Sequence, residues 1–304
     1  MPSPPARPAP RQPGPLLATA IVLLCAIGFG LTPFFARGLA EAGLSSSAIA
    51  FYRYAFSLLV LLPFLPLARA KRAQGLLALG TGAAMGLGWI SYLEAVKQVP
   101  VAAAGTLYMT YPLFAVLLAW PLAGQRPGPR AIGAALLVLG GAGLALSPPG
   151  LDGPQLRALL LSLSAPLTFG PGIVVLCTRL PGLGTLERMS ALLAGAVLGL
   201  APLLAGQPVE AILLARPQGW LLVAGVALLT AFLPQLLYTY AAPLVGPARA
   251  AAAGSFELPT MLAIGWFAFA EPVGPLQIGA TVLLVAAILL APAIAPQRAI
   301  ATMA

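Results

Sequence analysis

Ten runs of apolar residues follow one another with only short linkers between them, at approximately 16–36, 48–67, 75–95, 101–121, 130–147, 155–177, 187–205, 217–240, 247–269 and 274–295. Coiled as a helix, a run of about twenty residues matches the hydrocarbon thickness of a bilayer. Inside lipid only helices and closed barrels satisfy every backbone polar group, and barrel strands would alternate rather than run unbroken. The inventory agrees, with 60% of residues hydrophobic and 8% charged, against about a quarter charged in a soluble domain. The pattern predicts an all-α integral membrane protein with ten transmembrane helices.

The remaining sequence orients these runs. Residues 1–15 are proline-rich with Arg7 and Arg11, a tail that cannot bury enough apolar surface to fold, and residues 296–304 form a second tail. If helices alternate direction, Arg7, Arg11, Arg69, Lys71, Arg72 and six later arginines fall on one side. The other side receives Arg37, Lys97, Arg157, Arg216 and, at the interface, Arg53. The basic excess marks the first side as cytoplasmic, so both termini are expected in the cytosol. The formal net charge of +9 is spread singly and in small groups between the runs. No contiguous basic face exists to neutralise several phosphates, and nucleic acid is not an expected partner. Cys25 and Cys177 have no metal or redox spacing, and there is no histidine, so neither a transition-metal site nor a histidine proton relay is expected.

A second constraint is internal repetition. Shifting the register by 146 carries Tyr92 onto Tyr238, Trp120 onto Trp266, Gly128-Pro129 onto Gly274-Pro275 and Ile132-Gly133-Ala134 onto Ile278-Gly279-Ala280. The period is too long for a solenoid unit and divides the chain into two halves, 16–147 and 155–295. Each half holds five runs. An odd number of spans forces the second copy to enter the membrane from the opposite side, which makes the halves inverted repeats. That architecture places a site near the midplane, open alternately to each side.

The order and spacing of several short motifs resemble the drug/metabolite transporter superfamily. They are Gly28-Phe29-Gly30 through Pro33, Arg53, Tyr92 through Pro112, Ala250 through Pro259, Glu271-Pro272 and Gly279. Within it the chain looks like the ten-helix bacterial metabolite exporters, the aromatic amino acid exporters in particular. The resemblance implies an inner-membrane protein that exports aromatic and other neutral amino acids by alternating access, with no cofactor and a single chain sufficing. Export of drugs or other small metabolites is the alternative, although residues 16–36 lack the acid that four-helix drug exporters carry in their first span. A membrane-embedded enzyme is the alternative of another class. No histidine, cysteine or paired-carboxylate constellation supports it. The family often has an acid after the fourth span, where this chain has Gln125.

Intramembrane polar and aromatic residues are the substrate-binding candidates. Glu257 lies about ten residues into the ninth run, near the midplane, with Tyr111 at the same register of the repeat. It is a candidate to bind a substrate ammonium or carry a proton; the bland reading is a hydrogen-bonded structural acid. Trp89 and Gln235 form a second symmetric pair, and Tyr108 and Tyr111 lie deep enough to join them in an amphipathic lining. Tyr92, Tyr238 and Tyr240 stand near run ends, where interfacial anchoring is expected. A shift of 135 aligns Arg53 with Arg188 at mirrored depth, which favours both snorkelling to an interface over Arg53 clamping a substrate carboxylate. Should Arg53 face inward, Glu41 and Glu94 are its expected partners. Gly82, Gly86 and Gly88 are expected to let helices approach closely, and intramembrane prolines to bend them.

Overall fold

A computed structural model describes residues 13–145, 152–272 and 274–292. Among the described residues every regular element is helical. Six stretches have the length and composition to cross a bilayer: Pro15–Glu41, Ser46–Phe64, Arg69–Gln98, Gly153–Thr178, Thr185–Leu204 and Gly219–Val245. Tyr111–Ala123, Pro129–Gly141 and Ile278–Leu290 are shorter apolar helices. Large apolar side chains such as Leu16, Phe267 and Leu289 stand more than three-quarters exposed on the outer faces. Such a surface is stable only against lipid.

Several long helices are broken where the sequence removes a backbone bond. Helix α1 (Pro15–Gly30) stops at Leu31 and α2 (Thr32–Glu41) restarts. Pro33 has no N–H for the Phe29 carbonyl four residues earlier, and the Thr32 hydroxyl donates to it instead at 2.6 Å. Helix α3 is Ser46–Leu61, with Ser45 as N-cap, and α4 is Arg72–Gln98. A short break at Met109-Thr110 separates α5 (Val101–Tyr108) from α6 (Tyr111–Ala123), and α7 is Pro129–Ala145.

The second half restates this pattern. It comprises α8 (Gly153–Leu161), α9 (Ser164–Thr178) and α10 (Thr185–Leu200). Next, α11 (Gly219–Ala227) and α12 (Leu233–Val245) are joined through a π-helical turn, Leu228–Phe232. Last come α13 (Pro247–Gly254), α14 (Glu257–Phe269) and α15 (Pro275–Leu290). Helices α5 and α6 recur as α13 and α14 with both bounds shifted by 146, the register that the tryptophans and Gly-Pro pairs predict. Helix α3 recurs as α10 at an offset of 139. That offset sets Leu192, not Arg188, opposite Arg53, so the pairing of the two arginines does not hold.

The halves interleave. Helix α1 packs on α12 and α14, and α9 packs on α4 and α6, the same relation with the halves exchanged. Helix α3 lies on α10, and α7 on α15. The expected glycine contacts are present. A Cβ on Gly82 would collide with the Leu192 carbonyl of α10, and one on Gly88 would stand 2.9 Å from the Ser164 carbonyl of α9. Gly86 lies against Ala196 at 3.0 Å on the same measure. These contacts bring backbones together around the centre of the bundle.

Candidate functional site

At that centre lies a cavity with about 450 Å³ of unfilled space, lined by Phe29, Arg53, Tyr54, Met85, Trp89, Tyr108, Phe169 and Gln235 together with glycines of α4 and the Leu192, Leu193 and Ala196 side chains of α10. It is narrow: room for the centre of a water-sized sphere amounts to about 30 Å³, enough for one or two waters. A solute therefore enters only when the surrounding helices part.

One wall is a column of rings. Trp89 meets Tyr92 at 4.8 Å between centroids and Tyr108 at 5.2 Å. Tyr108 meets Tyr111 at 5.2 Å and Phe169 at 5.6 Å. The tilted and edge-on arrangements are those that ring quadrupoles favour. Of the sequence-predicted residues, Trp89, Tyr108 and Gln235 line the cavity. Tyr111 stands one layer behind, its hydroxyl donating to the Ala251 carbonyl at 3.1 Å. Glu257 is also behind the lining, 1% exposed, and its Oε1 has no hydrogen-bond partner. It is the first residue of α14, beyond the break at Ser255-Phe256, where free backbone N–H groups favour an acid. Tyr111 holds the matching place at the start of α6.

Three expectations require correction. Tyr92 and Tyr238 do not anchor at an interface: they are 0% and 3% exposed, because α4 runs on to Gln98 and α12 to Val245, which sets both rings well inside the helix ends. Tyr240 does face outward. Arg53 does not snorkel either, and is 3% exposed. Position 53 lies midway along α3, about 10 Å from either end at 1.5 Å per residue, too deep for its head to reach water. Nor do Glu41 and Glu94 serve it: no ion pair joins either to Arg53, and Glu94 pairs with Lys97 at 3.0 Å.

The Arg53 guanidinium lies 4.3 Å from the Trp89 ring centre, with Tyr54 at 5.4 Å. One terminal nitrogen donates to the Thr230 carbonyl at 2.9 Å. That carbonyl sits in the π-helical turn, and the residue four further on is Pro234, which has no N–H to give it. The other two guanidinium nitrogens, Nε and Nη1, have no partner. Arg53 and Glu257 are the two charged side chains buried among the described residues. A proline four residues beyond a buried carbonyl was the available signal for the arginine's seat.

A second polar cluster closes one end of the bundle. Arg37 of α2 and Glu271, beyond α14, form an ion pair at 2.9 Å. Arg37 also donates to the Val96 and Val99 carbonyls at 3.0 Å each, at the end of α4, and stacks over Phe269 at 4.2 Å. The Glu271 carboxylate accepts from the Val101 N–H at 3.1 Å, at the start of α5. Helix α2 and the ends of α4, α5 and α14 are thereby tied by two side chains. Sequence reading gives Glu271 only as a family motif and a loop acid, since nothing linear joins it to Arg37.

Comparison with known proteins bears on what such a cavity serves. The sequence pattern of the EamA-like transporter family matches residues 16–147. A riboflavin transporter of Rhizobium johnstonii is 30% identical over 288 residues, covering 88% of each protein. A solved crystal structure with 17% identity superposes with a TM-score of 0.67 over 90% of this chain and 96% of its own; at that identity the likeness is one of fold.

Proposed function

Since the chain belongs to the EamA-like transporter family, we propose that it exports aromatic and other neutral amino acids across the bacterial inner membrane by alternating access. In this reading ten spans form two inverted five-helix repeats, with both termini in the cytosol. The recurrence of helix bounds at 146 residues and the exchange of packing partners between halves support the duplication. Five spans per half make it an inverted one, and family membership favours transport over embedded catalysis.

The observation that carries the substrate reading is the central cavity itself. One wall is aromatic, through Trp89, Tyr108 and Phe169, and the polar groups Arg53 and Gln235 share it. That is the complement of an apolar side chain joined to a charged head. Tyr111 and Glu257, directly behind, stand where a modest parting of the broken helices α5–α6 and α13–α14 would bring them into contact with solute. Glu257 then receives the ammonium or a proton.

The test is counterflow in proteoliposomes with a panel of labelled amino acids and riboflavin. Saturable exchange of phenylalanine, tyrosine and tryptophan is expected, falling at least about tenfold in Glu257→Gln, the loss of one charge-assisted contact. A second reading, carriage of riboflavin, is favoured by the 30% identical riboflavin transporter. The flat neutral flavin would stack on the Trp89–Tyr108 wall. Exchange of riboflavin with no exchange of any amino acid would decide for it.

A further inference from the structure

Arg53 is pinned yet unsatisfied. Its position is set from three sides: α3 holds its backbone, Trp89 lies under the guanidinium plane at 4.3 Å, and the Thr230 carbonyl takes one terminal nitrogen at 2.9 Å. Two of its nitrogens, Nε and Nη1, have no partner although the side chain is 3% exposed and borders the cavity. A guanidinium does not shed its proton, so burial leaves a permanent cation with free donors. Uncompensated, this is among the most costly arrangements a protein interior can hold. A fold built this way stabilises whatever anion fills the cavity.

We infer that Arg53 is the receptor for a substrate carboxylate, and that it sets the transporter's specificity for aromatic and apolar carboxylates over the corresponding amines. The inference deepens the amino acid reading and rests on it. Nη2 is taken by the Thr230 carbonyl, and the free donors Nε and Nη1 lie on opposite sides of the guanidinium, so either one can meet an oxygen of a carboxylate held edge-on above Trp89. One cation matches one anionic group; a phosphate dianion would call for more, and Arg53 is the cation that borders this cavity. The rings of Trp89, Tyr108 and Phe169 take the apolar body.

The prediction separates the head group from the body. Binding is read in detergent as ligand-induced thermal stabilisation, and carriage as counterflow, using tyrosine, tyramine and 4-hydroxyphenylacetate. In the unaltered protein tyrosine and the arylacetate are expected to act at concentrations at least about tenfold below tyramine, the worth of one charge-assisted contact. Arg53→Gln should weaken both carboxylates about 10- to 100-fold and bring the tyrosine-to-tyramine ratio near one. Pro234→Ala restores an N–H that competes for the Thr230 carbonyl. It should loosen Arg53 and shift the same ratio part-way, in a protein whose charges are intact. Tyramine and tyrosine acting equally in the unaltered protein would overturn the proposal, as would Arg53→Gln weakening both by one factor. Stabilisation by the arylacetate but not tyrosine would overturn the amino acid reading and leave the carboxylate receptor standing. Carriage of riboflavin alone, with no carboxylate bound, would overturn both.

Discussion

The two ends of the bundle are built on the same backbone and finished with different chemistry. At one end α6 closes with Gly124 at φ +69°, and the Gln125 N–H reaches back to the Ala119 carbonyl at 3.2 Å. At the other, α14 closes with Ala270 at φ +54°, and the Glu271 N–H reaches back to the Gly265 carbonyl at 2.9 Å. Each residue of the second set lies 146 beyond its counterpart, and both ends form the same six-to-one helix stop. The side chains then diverge. Where one end has Gln125, the other has Glu271, paired with Arg37. Pro247, which has no N–H, matches Val101, whose N–H the carboxylate takes. Ala119 matches Gly265, where a Cβ would stand 2.7 Å from Glu271 Oε2. The Arg37 end is clamped. The Gln125 end holds a cleft of about 310 Å³ that Pro247, Ala248 and Ala131 help to line, and a larger one of about 990 Å³ lies beside the Arg37 end, between Glu94 and Gln98 of α4 and Arg157 of α8.

The difference teaches how a duplicated scaffold acquires direction. A perfectly symmetric pair of ends would open equally. In the alternating-access reading, three concerted differences at matched positions favour closure at one end by a few polar contacts, while the same helix-stop geometry is kept at both. A ligand need then supply only the difference between the two states to exchange which end is shut.

Removing the clamp should produce the largest effect. Arg37→Ala leaves Glu271 without its cation and the Val96 and Val99 carbonyls without a donor. The pair is partly exposed, its side chains 19% and 17% accessible, which screens it. A cost of about 2 kcal/mol is therefore expected for the closed arrangement, a roughly thirtyfold shift toward the open one. The readout is labelling by a membrane-impermeant maleimide at a cysteine introduced as Val99→Cys, with Cys25 and Cys177 replaced by alanine. Val99 is 3% exposed in the closed end, so labelling should rise steeply with Arg37→Ala and stay slow without it. Equal labelling in both backgrounds would deny the pair any part in closure.

Smaller and more selective is Val101→Pro, which gives the clamped end the residue found at position 247. Proline suits the first position of a helix, the place Pro247 holds in α13. Only the N–H that Glu271 accepts is lost, worth about 1 kcal/mol, or roughly a fivefold gain in Val99→Cys labelling. An effect as large as that of Arg37→Ala would mean that the backbone, not the carboxylate, holds this end.

Much of this scaffold was open to reading in the linear chain, because bilayer thickness and backbone satisfaction leave apolar helices few alternatives. Rare residues such as Trp120 and Trp266 fixed the 146 register. Arg53 was misjudged because a shift of 135, which brings two arginines together, stood in for the 139 that the bounds of α3 and α10 show. The segment between α3 and α4 is shorter than that between α10 and α11, so the 146 register of the later helices does not extend back to α3. Which face of α3 turns inward depends on Trp89 and Thr230, both distant in sequence. The Arg37–Glu271 pair was hidden for the same reason: each is an unremarkable loop-side charge until α2, α4, α5 and α14 meet.

The mildest contrast is in the helix stops, and it should act with the opposite sign. Ala270 is the one described non-glycine residue with positive φ, a left-handed conformation that costs alanine about 1 kcal/mol, and Gly124 fills the matched place. Ala270→Gly removes that strain, while glycine's greater freedom in the unfolded chain returns part of the gain. A net stabilisation of about 0.5 kcal/mol is expected, read as a rise of one or two degrees in the thermal midpoint in detergent. Val99→Cys labelling should not change, because the strain is present whether or not Arg37 and Glu271 are paired. If labelling slowed in step with the stabilisation, the strained turn itself would be part of the opening. The asymmetry between the ends would then lie in the backbone as well as in the side chains.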